Sequence, residues 1–303
     1  MIDLHMHSVC SDGTDSPGDL AEKVVAAGLS AAALTDHDTT MGHEAYGAVL
    51  AEHGIAFIPG VEISCRHQGT GASTHVLCYF VEADPQSPLQ QILAGLRHDR
   101  STRNLRLLEK LHELGYDTIT AEQIEALASK PLVDAGRPHF AQAIQANYPD
   151  KFASVNEVFA KLLGNDQPGY IPKAHLSIAD AAHAASASGA VAVIAHPLIT
   201  FCNDSETNWT VDAQRAHLIP LFEEFKRDGV VGIETHYSRH SPEETQMLLD
   251  LCQVFDFVPT GGSDFHGFNK KDLAVGIGVI EKKGTAGELR VPDSTIDALK
   301  ARR

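Results

Sequence analysis

The 303-residue sequence predicts an α/β protein, a distorted barrel related to the eight-stranded (β/α) type, interrupted by a mostly helical insertion. Three observations predict it. Short apolar runs alternate with helical patterns at both ends of the chain. That rhythm fails between Asp84-Pro85 and about residue 172. Nine side chains of metal-ligand type fall mostly at or just after the ends of the apolar runs, where such barrels place their chemistry.

Ile2 to His7 reads as the first strand. Ser16 is placed to cap a helix from Pro17 to Ala27, with proline in the first turn and Gly28 as its stop. Ala31 to Thr35 is a second strand and Thr40 to His53 a second helix. Ala56 to Ile63 and Thr74 to Val81 are further strands, and strand, helix, strand at this spacing implies a parallel sheet. Past Pro85, Ile92, Leu96, Leu105, Leu108 and Leu111 recur at helical spacing. Gly115 ends a helix, Thr120 caps the next, and Gly136-Arg137-Pro138-His139 opens another. Helices Ile178–Ala187, Ala213–Asp228 and Pro242–Val254 then alternate with strands Ala190–Ala195, Val230–Thr235 and Phe257–Gly262, and Ala274–Ile280 reads as a last strand. The expected organisation is about seven parallel strands in a barrel domain, residues 1–84 and 173–303, with residues 85–172 as a helical insertion.

Composition narrows the function. A 43% hydrophobic content suits a large buried core. Forty acidic against 24 basic residues, a net charge of −16, disfavour non-specific binding to duplex nucleic acid. Five cysteines, Cys10, Cys65, Cys78, Cys202 and Cys252, show no paired framework, which suits reduced thiols in a cytoplasm. Ile2-Asp3-Leu4-His5 is no leader peptide, and no long uncharged apolar run offers a membrane span.

The nine candidate ligands are His5, His7, Asp12, His37, Glu62, His75, His196, Asp264 and His266. Imidazole and carboxylate without thiolate suit several divalent cations and hydrolysis. Side chains alternate along a strand, so His5 and His7 project together, as do Asp264 and His266. Asp12, in the turn Ser11-Asp12-Gly13, folds back over the same mouth, and Glu62 bridges two metals. His5, His7, Glu62 and Asp264 are expected at one cation; Glu62, His75 and His196 at a second; Asp12, His37 and His266 at a third. Three cations and three carboxylates net roughly +3, which draws a phosphate despite the acidic chain. A metal-bridging water then attacks phosphorus in line, with Asp12, His37, Glu62, His196, Asp264 and His266 as the catalytic set. Asp3, Asp36 and Asp38 are expected to orient the ligand imidazoles. His75 is the misfit, lying at the start of its run rather than the end.

Asp3-x-His5-x-His7, Ser11-Asp12-Gly13, Thr35-Asp36-His37-Asp38, Gly60-Val61-Glu62-Ile63, Ala195-His196-Pro197 and Ser263-Asp264-Phe265-His266 resemble, in order, the motifs of the PHP (polymerase and histidinol phosphatase) family. The resemblance covers residues 1–82 and 173–280 and is nearest to a bacterial branch with a helical insertion. It implies a distorted (β/α)7 TIM-like barrel and a cluster of two to three manganese, zinc or iron ions. It implies removal of the 3′-phosphate from nucleoside 3′,5′-bisphosphates, with 5′-to-3′ trimming of short RNA as an alternative. Asp12 stands where several relatives carry histidine, which shifts preference from zinc towards manganese or iron and leaves the third ion exchangeable. By the same resemblance, Arg100, Arg103 and Arg137 hold the phosphate that is not cleaved, beside His139 in the same turn. The plain alternative for Arg97, Arg100 and Arg103 is a solvated helix face. Lys173 and His236 are placed to reach the mouth, Tyr237 to stack on a base, and His240 to assist the leaving group. The expected partner is a small AMP-like nucleotide or short RNA, bound by a monomer or small homo-oligomer. Histidinol phosphate fits less well, because an amino alcohol gives arginines nothing anionic to hold.

Overall fold

Seven strands form one sheet that curls until its edges meet. The computed structural model describes residues 1–128, 130–171, 175–204, 207, 209–279, 289 and 291–303. In chain order the elements run β1 (Ile2–Asp3), α1 (Pro17–Ala26), β2 (Ala31–Leu34), α2 (His43–Glu52), β3 (Ala56–Arg66) and β4 (Ser73–Tyr79). There follow α3 (Pro88–Glu113), α4 (Ala121–Ala128), α5 (Arg137–Asn147), α6 (Val155–Val158) and α7 (Ile178–Ala187). The chain continues with β5 (Val191–Ile194), α8 (Pro197–Phe201), α9 (Val211–Arg227), β6 (Gly232–Tyr237), α10 (Pro242–Phe255) and β7 (Val258–Gly262). It ends with β8 (Leu273–Ala274), β9 (Gly278–Val279) and α11 (Ser294–Lys300).

The sheet order is β1 to β7 in sequence. Its edges are joined by a parallel bridge between Met6 and Phe265. There the His7 N–H donates to the Phe265 carbonyl at 2.9 Å, and the Asp264 N–H to the His5 carbonyl at 2.8 Å. This closure needs glycine: a Cβ on Gly262 would lie 2.3 Å from the Cβ of His5. The result is a seven-stranded, nearly closed α/β barrel.

One strand departs from the expected parallel set. β4 is antiparallel to both β3 and β5. Only residues 67–72 link β3 to β4, too few for a crossover helix, so the chain turns back as a hairpin. The reversal brings the first residues of β4, His75 among them, to the end where the other strands finish. The expected strand Ala274–Ile280 is also different. Leu273–Ala274 and Gly278–Val279 pair as a small antiparallel hairpin apart from the barrel, and Ile280 lies outside the described residues.

The chain forms two compact units. The first comprises Met1–Leu93 and His175–Arg303. Ile2, Leu4, Ala31, Ala33, Leu77, Tyr79, Val191 and Val193 make its inner cluster. The alternate residues Ala32 and Leu34 face Leu20, Val24, Tyr46 and Leu50 of α1 and α2. Ser16 caps α1 by accepting the Asp19 N–H at 3.1 Å. The second unit, Ala94–Ala174, is helical around Leu107, Leu111, Ile119, Ile124, Phe140, Ile144 and Phe152. In it the Asn104 amide donates to the carbonyls of Leu132 and Ala135, both at 2.8 Å. Among the described residues, no helix is long and apolar enough to cross a membrane.

Candidate metal centre

The rim at the ends of β1, β2, β3, β5 and β7, together with the start of β4, gathers all nine candidate ligands. His5 and His7 continue the line of β1, and their Nε2 atoms lie 3.0 Å apart. Each faces Glu62 Oε2, at 3.3 and 3.2 Å, and each faces Asp264 Oδ1 at 3.5 Å. On its other side Glu62 presents Oε1 to His75 Nδ1 at 3.1 Å and to His196 Nε2 at 3.2 Å. His37 Nδ1 lies 3.1 Å from Glu62 Oε2. Glu62 therefore divides its two oxygens between two sets of imidazoles. At the outer edge Asp12 lies 3.3 Å from His266 Nε2, 3.6 Å from His7 Nδ1 and 3.7 Å from His37 Nε2.

The structure groups donors differently from the expected partition. Its compact sets are His5 with His7 and Asp264; His37 with Glu62 and His75; and His7, Asp12, His37 and His266. His37 and His7 join second sets because both ring nitrogens of each face carboxylates. Two rim residues also depart from strand geometry. His196 has φ 27° and Asp264 φ 54°, left-handed values that non-glycine residues seldom adopt and that concentrate at functional sites.

Electrostatics favour a cation. His5, His7 and Glu234 are fully buried and Glu62 nearly so, which is costly for polar groups without partners. Burial pushes Glu62 up, but His37, His75, His5 and His196 outweigh it and hold its carboxyl well below the ordinary range. Burial likewise opposes ionisation of Asp264, and His5, Lys270, His266 and His7 overcome it. For His5, burial is outweighed by Glu234, Glu62 and Asp264, which raise it well above 6.5. Burial and the nearby His266 carry His7 down to about 4 against Glu62. Burial takes His37 to about 4 despite Glu62 and Asp12. His37 Nδ1 is buried with no hydrogen-bond partner among the described residues, although a carboxylate oxygen lies within reach. A divalent cation among these lone pairs resolves that arrangement, and oxygen and nitrogen donors without thiolate fit one.

The orienting carboxylates are not those expected. Asp3 accepts the N–H groups of His5, Ser263 and Gly276, and Asp36 accepts from Ser8 and Ser11. Asp38 accepts the Ser64 N–H at 2.8 Å. Asp36 is thus engaged by serine groups and Asp38 by Ser64. The carboxylate that meets an imidazole is Glu234 on β6, which the sequence reading missed. Its Oε1 accepts from His5 Nδ1 at 2.9 Å, and its Oε2 accepts the His196 N–H at 2.7 Å. With Nδ1–H so committed, Nε2 is the ring nitrogen that faces the cage, and a bound cation would take its lone pair in place of a proton. A charged residue inside the apolar run Val230–Thr235 was the available signal. His266 is fixed similarly, its Nδ1–H donating to the Asp264 carbonyl at 2.8 Å. Lys270, also missed, pairs with Asp264 Oδ2.

Tyr237 ends β6 and is buried, and its hydroxyl donates to Asp264 Oδ2 at 2.7 Å. Burial and Asp264 push this phenol up, so it stays protonated. Its hydroxyl thus meets the candidate ligand Asp264, and its ring is buried rather than open to solvent. His240 donates Nδ1–H to the Thr235 carbonyl at 3.0 Å, and its buried Nε2 has no hydrogen-bond partner among the described residues. His236 is half-buried on β6. In the helical unit, Arg100 and Arg103 are half-buried on α3, and Arg137 opens α5. His139 Nδ1 accepts the Gly136 N–H at 3.1 Å. Lys173 lies outside the described residues.

Comparison with known proteins agrees with this geometry. The PHP domain family model matches residues 3–167. The chain is 30% identical to a 5′-3′ exoribonuclease of Haemophilus influenzae, over 87% of this chain and 89% of that one. It is 29% identical to the 3′,5′-nucleoside bisphosphate phosphatase of Chromobacterium violaceum, over 88% and 87% respectively. A solved structure from Bifidobacterium adolescentis, classed as a metal-dependent phosphoesterase, superposes with TM-score 0.75 at 26% identity, covering 99% of this chain and 96% of that one. With the barrel, the rim and these relatives in agreement, the chain belongs to the PHP domain family of metal-dependent phosphoesterases.

Proposed function

We propose that this phosphoesterase removes the 3′-phosphate of nucleoside 3′,5′-bisphosphates. The observation that carries the reading is the rim itself: five imidazoles crowd around the two oxygens of one buried glutamate, with Asp12, Asp264 and His266 completing the cluster. His5, His7, Asp12, His37, Glu62, His75, His196, Asp264 and His266 would hold two to three divalent cations, manganese first. Bound there, the cations supply Lewis acidity towards phosphoryl oxygens and acidify water. The chain's own residues do the rest. Glu234 sets the His5 ring, and Tyr237 with Lys270 holds the far oxygen of Asp264. The buried His240 Nε2 offers a lone pair to a hydroxyl of the substrate. Arg100, Arg103 and Arg137 bind the phosphate that stays, with His139 beside them. The similarity to a bisphosphate phosphatase supports this choice. That to an exoribonuclease supports a second substrate, RNA short enough to approach an acidic protein.

Phosphate release from four compounds tests the reading: a nucleoside 3′,5′-bisphosphate, its 5′-monophosphate, histidinol phosphate and a short RNA, each with Mn²⁺ and after EDTA. The bisphosphate should turn over fastest, lose its 3′-phosphate, and fail without metal. Equal rates on bisphosphate and monophosphate, or activity that survives verified metal removal, would refute it.

A further inference from the structure

With Tyr237 buried against Asp264, the ring expected to meet the base of a nucleotide is already occupied. The rim carries another. Phe268 is 75% exposed, more than any other large hydrophobic residue among those described. It lies in the single turn Gly267–Lys270 that directly follows His266. Three contacts fasten this turn to the cage. The Phe268 N–H donates to Thr14 Oγ1 at 2.9 Å, the Asn269 amide donates to the Asp12 carbonyl at 2.7 Å, and Lys270 pairs with Asp264. Gly267 allows the close approach: its φ is +63°, and a Cβ there would lie 2.0 Å from Thr14 Oγ1.

Solitary exposed apolar residues are common on protein surfaces. This one differs in being held on both sides by bonds to the loops that carry the candidate ligands. Two peptide units separate it from His266, so the two Cα atoms are within about 7.6 Å. A phosphate at the cage would thus leave the remainder of a nucleotide within reach of this residue. An exposed aromatic side chain on an anchored turn, beside a centre for phosphate, suits a planar nucleobase, which stacks with little regard to its identity.

We infer that Phe268 is the platform on which the nucleobase of the substrate stacks. This rests on the nucleotide reading above. The experiment compares adenosine 3′,5′-bisphosphate with the abasic ribose 3,5-bisphosphate on wild-type enzyme and on Phe268→Ala and Phe268→Trp. Phe268→Ala should raise KM for the adenosine compound by about 5- to 100-fold, leave kcat near its starting value, and leave the abasic compound unaffected. Phe268→Trp should restore the low KM. The chain has one tryptophan, so F268W in a W209F background makes residue 268 the sole reporter, and AMP should quench its fluorescence. Equal effects of Phe268→Ala on both compounds, no effect on either, or no quenching would overturn the inference and leave the bisphosphate reading intact. A wild-type enzyme that hydrolyses no base-bearing bisphosphate would end both.

Discussion

The helical unit and the barrel rim bury side chains equally deeply but of opposite kinds. Leu111, Ile119, Ile124, Phe140 and Ile144 have no solvent exposure, and neither have His5, His7 and Glu234. The first group is driven together because water rejects it. The second is withdrawn from water that would have solvated it, and only mutual hydrogen bonds and a bound cation offset the loss. In the helical unit the side-chain nitrogen of Asn104 is met by backbone carbonyls of its own unit, while its Oδ1 has no hydrogen-bond partner among the described residues. On the rim, His37 Nδ1 also has none among the described residues, but there it stands 3.1 Å from a carboxylate oxygen that other imidazoles share. An apolar core around a few polar groups serves stability; imidazoles and carboxylates converging on shared oxygens serve a ligand.

Substitutions can separate these roles. The largest effect is expected at Asp264→Ala, which should cut turnover by about 10³-fold or more and lower bound metal, with far-UV circular dichroism unchanged. Glu234→Gln, one contact further from the cations, should weaken metal binding by about 10- to 100-fold in a direct titration. Full activity and full metal content in both variants would dissolve the contrast. Phe140→Ala acts on the other side of it: unfolding free energy should drop by about 3–5 kcal/mol in a denaturant titration, and the metal content of the folded protein should hold. An unchanged midpoint would show that the helical core is not packed as described.

The smallest effect belongs to an exposed pair. Arg302 beside Asp256 holds that carboxyl down to about 2, against an ordinary 3.8. The folded protein therefore binds fewer protons than the unfolded chain between these values. Its contribution is complete above pH 3.8 and disappears as the pH falls towards 2. Arg302→Ala should lower Tm by no more than about 2 °C at pH 7, because solvent screens such pairs. The gap between wild type and variant should narrow at pH 3. A gap that widened there would reverse the sign.

The metal-type residues were legible because each sits in a short motif at a strand end, and strand alternation made His5 and His7 one pair. A helical stretch after Pro85 was expected because leucines at helical spacing replaced the strand rhythm, and the compact helical unit runs Ala94–Ala174. β4 was misjudged for a physical reason: an apolar run does not state its direction. The clue was distance, since the residues between Arg66 and Ser73 cannot hold a crossover helix. That reversal also explains the position of His75. Asp36 and Asp38 were drawn to the imidazoles by adjacency in sequence, which says nothing of the serine groups that they meet. Glu234 stood out as a charge within an apolar run, but its partner could not be read, being a ring 229 residues away. The Tyr237 hydroxyl bond to Asp264 is of the same long-range kind.

The carboxylates of the rim have a further consequence. Asp264 has given one oxygen to Tyr237 and Lys270, and Glu62 has aimed its pair in different directions. So oriented, neither would present both oxygens to a single ion. Calcium, which collects six to eight oxygens and favours two-handed acids, would be poorly served by such a surround, whereas transition ions that accept imidazole would be better served. The orientation of two acids would thus weigh on which cation the rim holds before any substrate arrives.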